Sequence, residues 1–123
     1  MLTFKEMDPR VGIRDQLAET SDEPVILINK FNVAPEDVDQ MLAAWTEDAS
    51  FFKAQPGFIS TQLHRGTAGS CVFLNYAVWQ SVADFKAAFS NPAFRARLAD
   101  YPASAVAAPH LFRKAGAPGI CVA

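Results

Sequence analysis

The chain is poor in the residues that build many familiar sites. It has two histidines, two cysteines and six glycines in 123 residues. Cys71 and Cys121 fit neither a metal-ligand spacing nor a disulfide framework, so they read as a strand cysteine and a tail cysteine, and no metal is expected. No phosphate-binding glycine loop, paired carboxylates or Ser/His/Asp set stands out, which leaves kinase and hydrolase readings without support. Positive charge is not in excess: 11 Lys and Arg stand against 13 Asp and Glu, a net charge of −2. The basic footprint of a nucleic-acid binder is therefore missing. No apolar run approaches the ~20 residues of a membrane helix, and the opening MLTFKEMDPR has no apolar secretory segment. The expectation is a soluble, cytoplasmic protein with neither nucleic acid nor membrane as partner.

Apolar residues make up half of the chain, and ten are Phe. Flat rings bury much area per residue, which suits a ligand pocket or an interface between chains. Residues 1–23 are charged and aperiodic and read as an N-terminal extension, either a flexible arm or a segment packed on a partner chain. Residues 24–114 carry the pattern of one domain, and 115–123 form a tail.

PVILINKFNV (24–33) is β-branched and apolar and predicts a strand. Pro35, Glu36 and Asp37 suit a helix start, after which Val38, Met41, Leu42, Trp45, Ala49 and Phe52 recur at helical spacing. QPG (55–57) stops that helix. GFISTQLHRG (57–66) and CVFLNYAVW (71–79) flank the TAGS turn and predict an antiparallel hairpin. SVAD (81–84) is a capping box opening a helix with Phe85 and Phe89; NP (91–92) breaks it, and a short helix carries Phe94 and Leu98. The last strand falls within 104–114, mainly after 107, because Pro109 implies an edge, a bulge or a late start. The order β-α-β-β-α-β is a ferredoxin-like α+β fold, an antiparallel sheet with both helices on one face. The bare face must be covered, and a second copy of the chain is the simplest cover.

Alternation along the strands groups Leu27, Asn29, Phe31 and Val33; Phe58, Ser60, Gln62 and His64; and Phe73, Asn75, Ala77 and Trp79. The opposite sets are more aliphatic, with Tyr76 among them, and are expected to meet the helices. The aromatic and amide-bearing sets would then line a cavity on the far side. A bulge would invert part of this assignment.

INKF, the helix with Trp45, QPGF, LHRG, the strand ending NYAVW, SVADFKAAFSNPAF and the closing PHLF, over residues 24–114, resemble the antibiotic biosynthesis monooxygenase superfamily. The resemblance implies a homodimer whose two sheets form an α+β barrel. It also implies oxygenation of a phenol, quinol or anthrone without metal or flavin. The same superfamily contains haem-degrading members and members without known substrate. Asn29 matches the first-strand pocket asparagine and Trp79 the pocket tryptophan. His64 and Asn75 sit where relatives carry polar pocket residues. The haem-degrading branch uses a histidine on the second helix, and 81–101 contains none, which argues against a haem-oxygenase.

Oxygen reacts slowly with closed-shell organic molecules, so a cofactor-free oxygenase makes its substrate supply the electron as a phenolate or enolate. The Asn29 amide and the Trp79 indole N–H can hold that anion, and His64, an imidazole suited to general-base work, can take the proton. Asn29, His64 and Trp79 are thus the catalytic candidates. Phe31, Phe58, Gln62, Phe73, Asn75 and His110 are the substrate-binding candidates. Each has a plain structural alternative: Asn29 bonding a neighbouring backbone, Trp79 as core, His64 at the surface beside Arg65. The competing function is a non-catalytic dimer that binds a small apolar ligand, since binding and catalysis need nearly the same pocket.

Overall fold

A computed structural model describes residues 1–121. The elements are β1 (Thr3–Phe4), α1 (Ile13–Leu17), β2 (Val25–Asn32), α2 (Val38–Lys53), β3 (Phe58–Arg65), β4 (Val72–Trp79), α3 (Val82–Phe89), α4 (Pro92–Arg97) and β5 (Val106–Phe112). Short 3-10 turns, Pro35–Asp37 and Leu98–Asp100, precede α2 and follow α4. From β2 to β5 the chain follows the expected β-α-β-β-α-β path, with helices on one face of the sheet. The strand order is β1-β5-β2-β4-β3. The pairs β2·β4, β2·β5 and β3·β4 are antiparallel, while β1 runs parallel to β5. No helix among the described residues is long and apolar enough to cross a membrane.

The local chemistry is that of the sequence. Ser81 caps α3, its hydroxyl accepting from the Asp84 N–H at 3.1 Å and donating to the Asp84 carboxylate at 2.9 Å. Asn91 caps α4 by accepting from the Ala93 N–H, with Pro92 at its first position; such caps satisfy N–H groups that no helical turn can reach. Gly57, between α2 and β3, has a φ of +83°, and a Cβ there would stand 2.3 Å from Asp84 Cγ. Only glycine lets the turn pass so close to the start of α3.

Pro109 lies inside β5, which starts at Val106. The strand tolerates it because β1 pairs only with Val106 and Ala107, so the outer edge at Pro109 asks for no N–H. Two residues on, the Leu111 N–H donates to Gln16 Oε1 of α1 at 2.7 Å. Residues 1–23 therefore pack on their own chain, adding a strand and closing the β5 edge.

The face assignment is the main correction. Val25, Leu27, Phe31, Phe73, Ala77 and Trp79 are buried beneath the helices, whereas Tyr76 is 39% exposed and Val72 37% on the open face. The inner and outer sets of β2 and β4 are thus the reverse of the expectation. Both sets are apolar, so alternation identified two faces without saying which one the helices cover. The wide gap between sheet and helices takes the large rings: Trp79 packs edge-on against Phe52, Phe58 and Phe85 with centroids 5.9, 5.5 and 5.7 Å away. In β3 a bulge between Phe58 and Ser60 changes the parity. Phe58, Thr61 and Leu63 share the inner face opposite Trp79, Ala77 and Asn75, while Ser60, Gln62 and His64 turn outward beside Val78, Tyr76 and Leu74.

Candidate active site

A cavity of about 50 Å³ lies between the inner sheet face and the helices. Its sheet wall carries Asn29 from β2, Thr61 from β3 and Asn75, Ala77 and Trp79 from β4. Its helical wall carries Trp45, Asp48 and Phe52 from α2, Phe85 and Phe89 from α3 and Tyr101 after α4. Leu2 and Phe4 of the N-terminal segment close part of it. Small Ala77 among large rings leaves the space, because close-packed interiors otherwise fill such gaps.

The polar groups are few and placed on both walls. Asn29 and Asn75 stand directly opposite each other in the β2·β4 ladder. The Thr61 hydroxyl donates to Asn75 Oδ1, fixing that amide. Asn29 Oδ1 is buried with no hydrogen-bond partner. Across the cavity, the Tyr101 hydroxyl donates to Asp48 Oδ2 at 2.6 Å, and Asp48 Oδ1 is buried without a partner. Buried polar atoms are rarely left so, and each costs roughly 1–3 kcal/mol.

Asp48 is 4% exposed. Burial pushes its carboxyl up to about 6; the Tyr101 hydrogen bond and Arg97 pull the other way, and Asp100 and Glu47 add to the rise. Burial also drives the Tyr101 phenol upward, reinforced by the charge of Asp48 and by its hydrogen bond to it, so Tyr101 stays protonated. Its ring lies parallel to Phe31, centroids 6.3 Å apart.

The structure brings together Asn29, Trp79, Phe31, Phe58 and Asn75 as cavity lining. Phe73 shares their face and is buried, with the Arg65 guanidinium 5.1 Å from its ring, but it does not line the cavity. His64, Gln62 and His110 do not join them. His64 and Gln62 are exposed on the outer face, where the bulge in β3 turns them. His64 Nδ1 lies 3.2 Å from the Leu74 carbonyl. His110 is half-buried beside Phe112 on that same outer face, since Ala107, Pro109 and Leu111 take the inner positions of β5. The expected convergence of His64 with Asn29 and Trp79 in one cavity is therefore corrected.

Sequence reasoning passed over Asp48, Thr61 and Tyr101. The signal for Asp48 was present: it lies three residues after Trp45 and four before Phe52, a carboxylate set within the apolar stripe of α2.

The antibiotic biosynthesis monooxygenase family model matches residues 24–99. The chain belongs to the antibiotic biosynthesis monooxygenase family. Tetracenomycin-F1 monooxygenase of Streptomyces glaucescens is 41% identical over 69 residues, 54% of this chain and 59% of that relative. The match thus spans less than two thirds of the relative's length. SnoaB of Streptomyces nogalater, a cofactor-independent oxygenase, superposes with a TM-score of 0.66 at 25% identity, covering 79% of this chain and 98% of SnoaB. A protein of Shewanella loihica PV-4 superposes with a TM-score of 0.69 at 31% identity over 80% of this chain and 100% of its own. The family match leaves residues 1–23 outside, and these include Leu2 and Phe4 of the cavity lining.

Proposed function

We propose that the protein is a monooxygenase that oxidises an electron-rich aromatic compound, an anthrone or a quinol, with molecular oxygen and without a cofactor. The observation that carries this reading is the cavity wall itself: aromatic rings surrounding two opposed asparagine amides, one with an unpartnered oxygen. Once the cavity widens, a flat ring lies against Trp79 and Phe52. A ring hydroxyl satisfies Asn29 Oδ1, and after ionisation the same amide, turned about, presents its N–H to the oxyanion. For an anthrone the balance is one methylene and one O₂ giving one carbonyl and one water. All four electrons that reduce O₂ come from the substrate, so no reductant is needed. The relatives tetracenomycin-F1 monooxygenase and SnoaB support the reaction class.

Two finer parts of the reading follow. The open sheet face, with Tyr76 and Val72 exposed, is covered by a second copy, giving a homodimer whose sheets close into a barrel. The two free cysteines fit a reducing, cytoplasmic setting. The cavity also has to widen. Its 50 Å³ exceeds the roughly 10–15 Å³ that one water requires and falls below the roughly 150 Å³ of a known benzene-binding cavity. Leu2 and Phe4, from the segment that contains the two-residue strand β1, form part of the wall that would have to move.

The test is oxygen uptake by chelator-treated protein with 1,8-dihydroxyanthrone, followed by a panel of quinols and catechols. Uptake that falls at least ~10-fold in Asn29→Ala, with Trp79→Phe weakening affinity, is the expected result. Ligand binding with thermal stabilisation but no uptake across the panel would instead establish the non-catalytic ligand-binding reading.

A further inference from the structure

We infer that Asp48 is the proton acceptor of this cavity and that Tyr101 positions it. The inference rests on the oxygenase reading, and deepens it by supplying the base. That reaction must remove a proton from a ring hydroxyl or an adjacent C–H, and neither histidine reaches the cavity, since His64 and His110 lie on the outer sheet face. Asp48 lines the cavity and is 4% exposed. One of its oxygens is engaged by Tyr101 at 2.6 Å and the other is buried with no donor.

A carboxylate that served only to tie α2 to the segment after α4 would need Oδ2 alone. Leaving Oδ1 buried and unpaired within the protein is costly, and that cost has a use if a ligand brings the missing proton. The Asn29 oxygen on the opposite wall is unpaired in the same way. A ring with a hydroxyl on one side and an acidic O–H or C–H on the other completes both. The neighbouring charges set a suitable basicity. Burial disfavours the carboxylate most, the Tyr101 hydrogen bond and Arg97 favour it, Asp100 and Glu47 oppose it, and the balance pushes the carboxyl up to about 6. It is then ionised at neutral pH yet more basic than an ordinary carboxylate, the range in which general bases work best. Tyr101, which stays protonated, holds Oδ2 and leaves Oδ1 for the substrate.

For an anthrone the methylene C–H bond breaks, its proton goes to Asp48 Oδ1 and the electron pair stays as the enolate. The enolate passes one electron to O₂, and the radical pair combines as a C–O bond to give a peroxide anion. That anion takes the proton back from Asp48. Asp48 then receives the second methylene proton as the O–O bond breaks, and the departing hydroxide takes it up as water, leaving the carbonyl.

The experiment measures two steps separately, using 1,8-dihydroxyanthrone as the probe. Ionisation of the bound anthrone is read by absorbance without oxygen, and oxygen uptake is read in air. We expect Asp48→Asn to fold, to bind the anthrone within a few-fold of the parent, and to lose ionisation and uptake by ~100-fold or more. Tyr101→Phe, which removes a hydrogen bond to the carboxylate, is expected to move the acid limb of the kcat/KM profile to higher pH while keeping the alkaline plateau. A merely structural pair would lower activity evenly across pH. A folded Asp48→Asn that ionises and oxidises the anthrone at the parental rate overturns the assignment and leaves the oxygenase reading standing. A parent protein that ionises the anthrone through Asp48 but consumes no oxygen overturns the oxygenase reading and supports the assignment. A parent that does neither overturns both.

Discussion

The two faces of the sheet are built from similar amounts of apolar side chain and meet different fates. The inner face carries Leu27, Phe31, Phe73, Ala77 and Trp79, none more than 7% exposed. The outer face carries Ile26, Ile28, Leu74 and Val78, half-buried, with Tyr76 and Val72 more open still. Hydrophobicity alone does not separate them. Ring size and helix cover do. The inner face mixes large rings with Ala77 and Ala107 and sets Asn29 and Asn75 among them, which packs against helices and leaves a cavity with a polar wall. The outer face interleaves Ile26, Ile28, Leu74 and Val78 with Ser60, Gln62, His64 and His110, and no helix covers it. The unpartnered Asn29 Oδ1 and the buried Asn75 lie on the inner face, beside the cavity.

The sharpest way to break that comparison is to remove its largest inner side chain. Trp79 is 1% exposed and contacts three rings edge-on. Trp79→Ala is expected to cost about 3–5 kcal/mol in urea unfolding; a loss below about 1 kcal/mol would mean that the inner face is not the core. Next comes the turn that sets β3 against this face. Gly57→Ala forces an unfavourable φ of +83° and a contact of 2.3 Å with Asp84, so a loss of about 2–3 kcal/mol is expected by the same measurement. An unchanged midpoint would mean that the turn relaxes freely and that the bulge does not depend on it.

How far the sequence could be read follows the same division. From β2 to β5 the elements were legible because they carry local signals: Pro35 and Ser81 at helix starts, QPG and NP at stops, the TAGS turn between β3 and β4; β1 and α1, short and without such signals, were not. The family was legible too, from the order of short motifs. The side of the sheet on which the pocket lies was not, because alternation has period two on either face and both faces are apolar. The bulge after Phe58 hid the parity of His64 and Gln62, a one-residue irregularity with no residue type of its own in ISTQ. Asn29 and Trp79 reached the cavity even though the face was misread, because both lie on the set that alternation grouped correctly. Asp48 was obscured by being one polar residue in a helix read for its apolar stripe.

Asp48 offers a subtler probe, since the inner face holds a buried carboxylate and the outer face holds none. Its carboxyl titrates at about 6 in the fold against 3.8 when free. The folded state therefore binds the proton more tightly than the unfolded one. The associated stability is fully present below about pH 4 and is lost as pH rises through about 6. Each tenfold change in proton affinity is worth about 1.4 kcal/mol. Allowing for some screening by solvent, the loss is on the order of 2 kcal/mol. Asp48→Asn is expected to remove this dependence and to melt higher than the parent at pH 8, with little difference at pH 4. Parallel melting curves for parent and variant over that range would show that Asp48 is freely solvated and that the inner face is wet.

The smallest effect on the protomer itself is expected on the outer face. Tyr76 is 39% exposed there, opposite Ile28 in the β2·β4 ladder and Gln62 in the β3·β4 ladder. In a lone protomer Tyr76→Asp loses little packing, and such surface changes usually stay within about 0.5 kcal/mol. If two copies bury this face against each other, the same substitution places an unpaired charge inside the contact and destabilises association far more than folding. The parent is expected to sediment as a dimer at micromolar concentration and to melt at a temperature that rises with concentration. Tyr76→Asp is expected to sediment as a monomer with an unchanged far-ultraviolet spectrum and a melting temperature independent of concentration. A parent that is monomeric and as stable as its Tyr76→Asp variant would mean that the outer face tolerates water unaided. The difference between the two faces would then lie in the helices that cover one of them and not in any second chain.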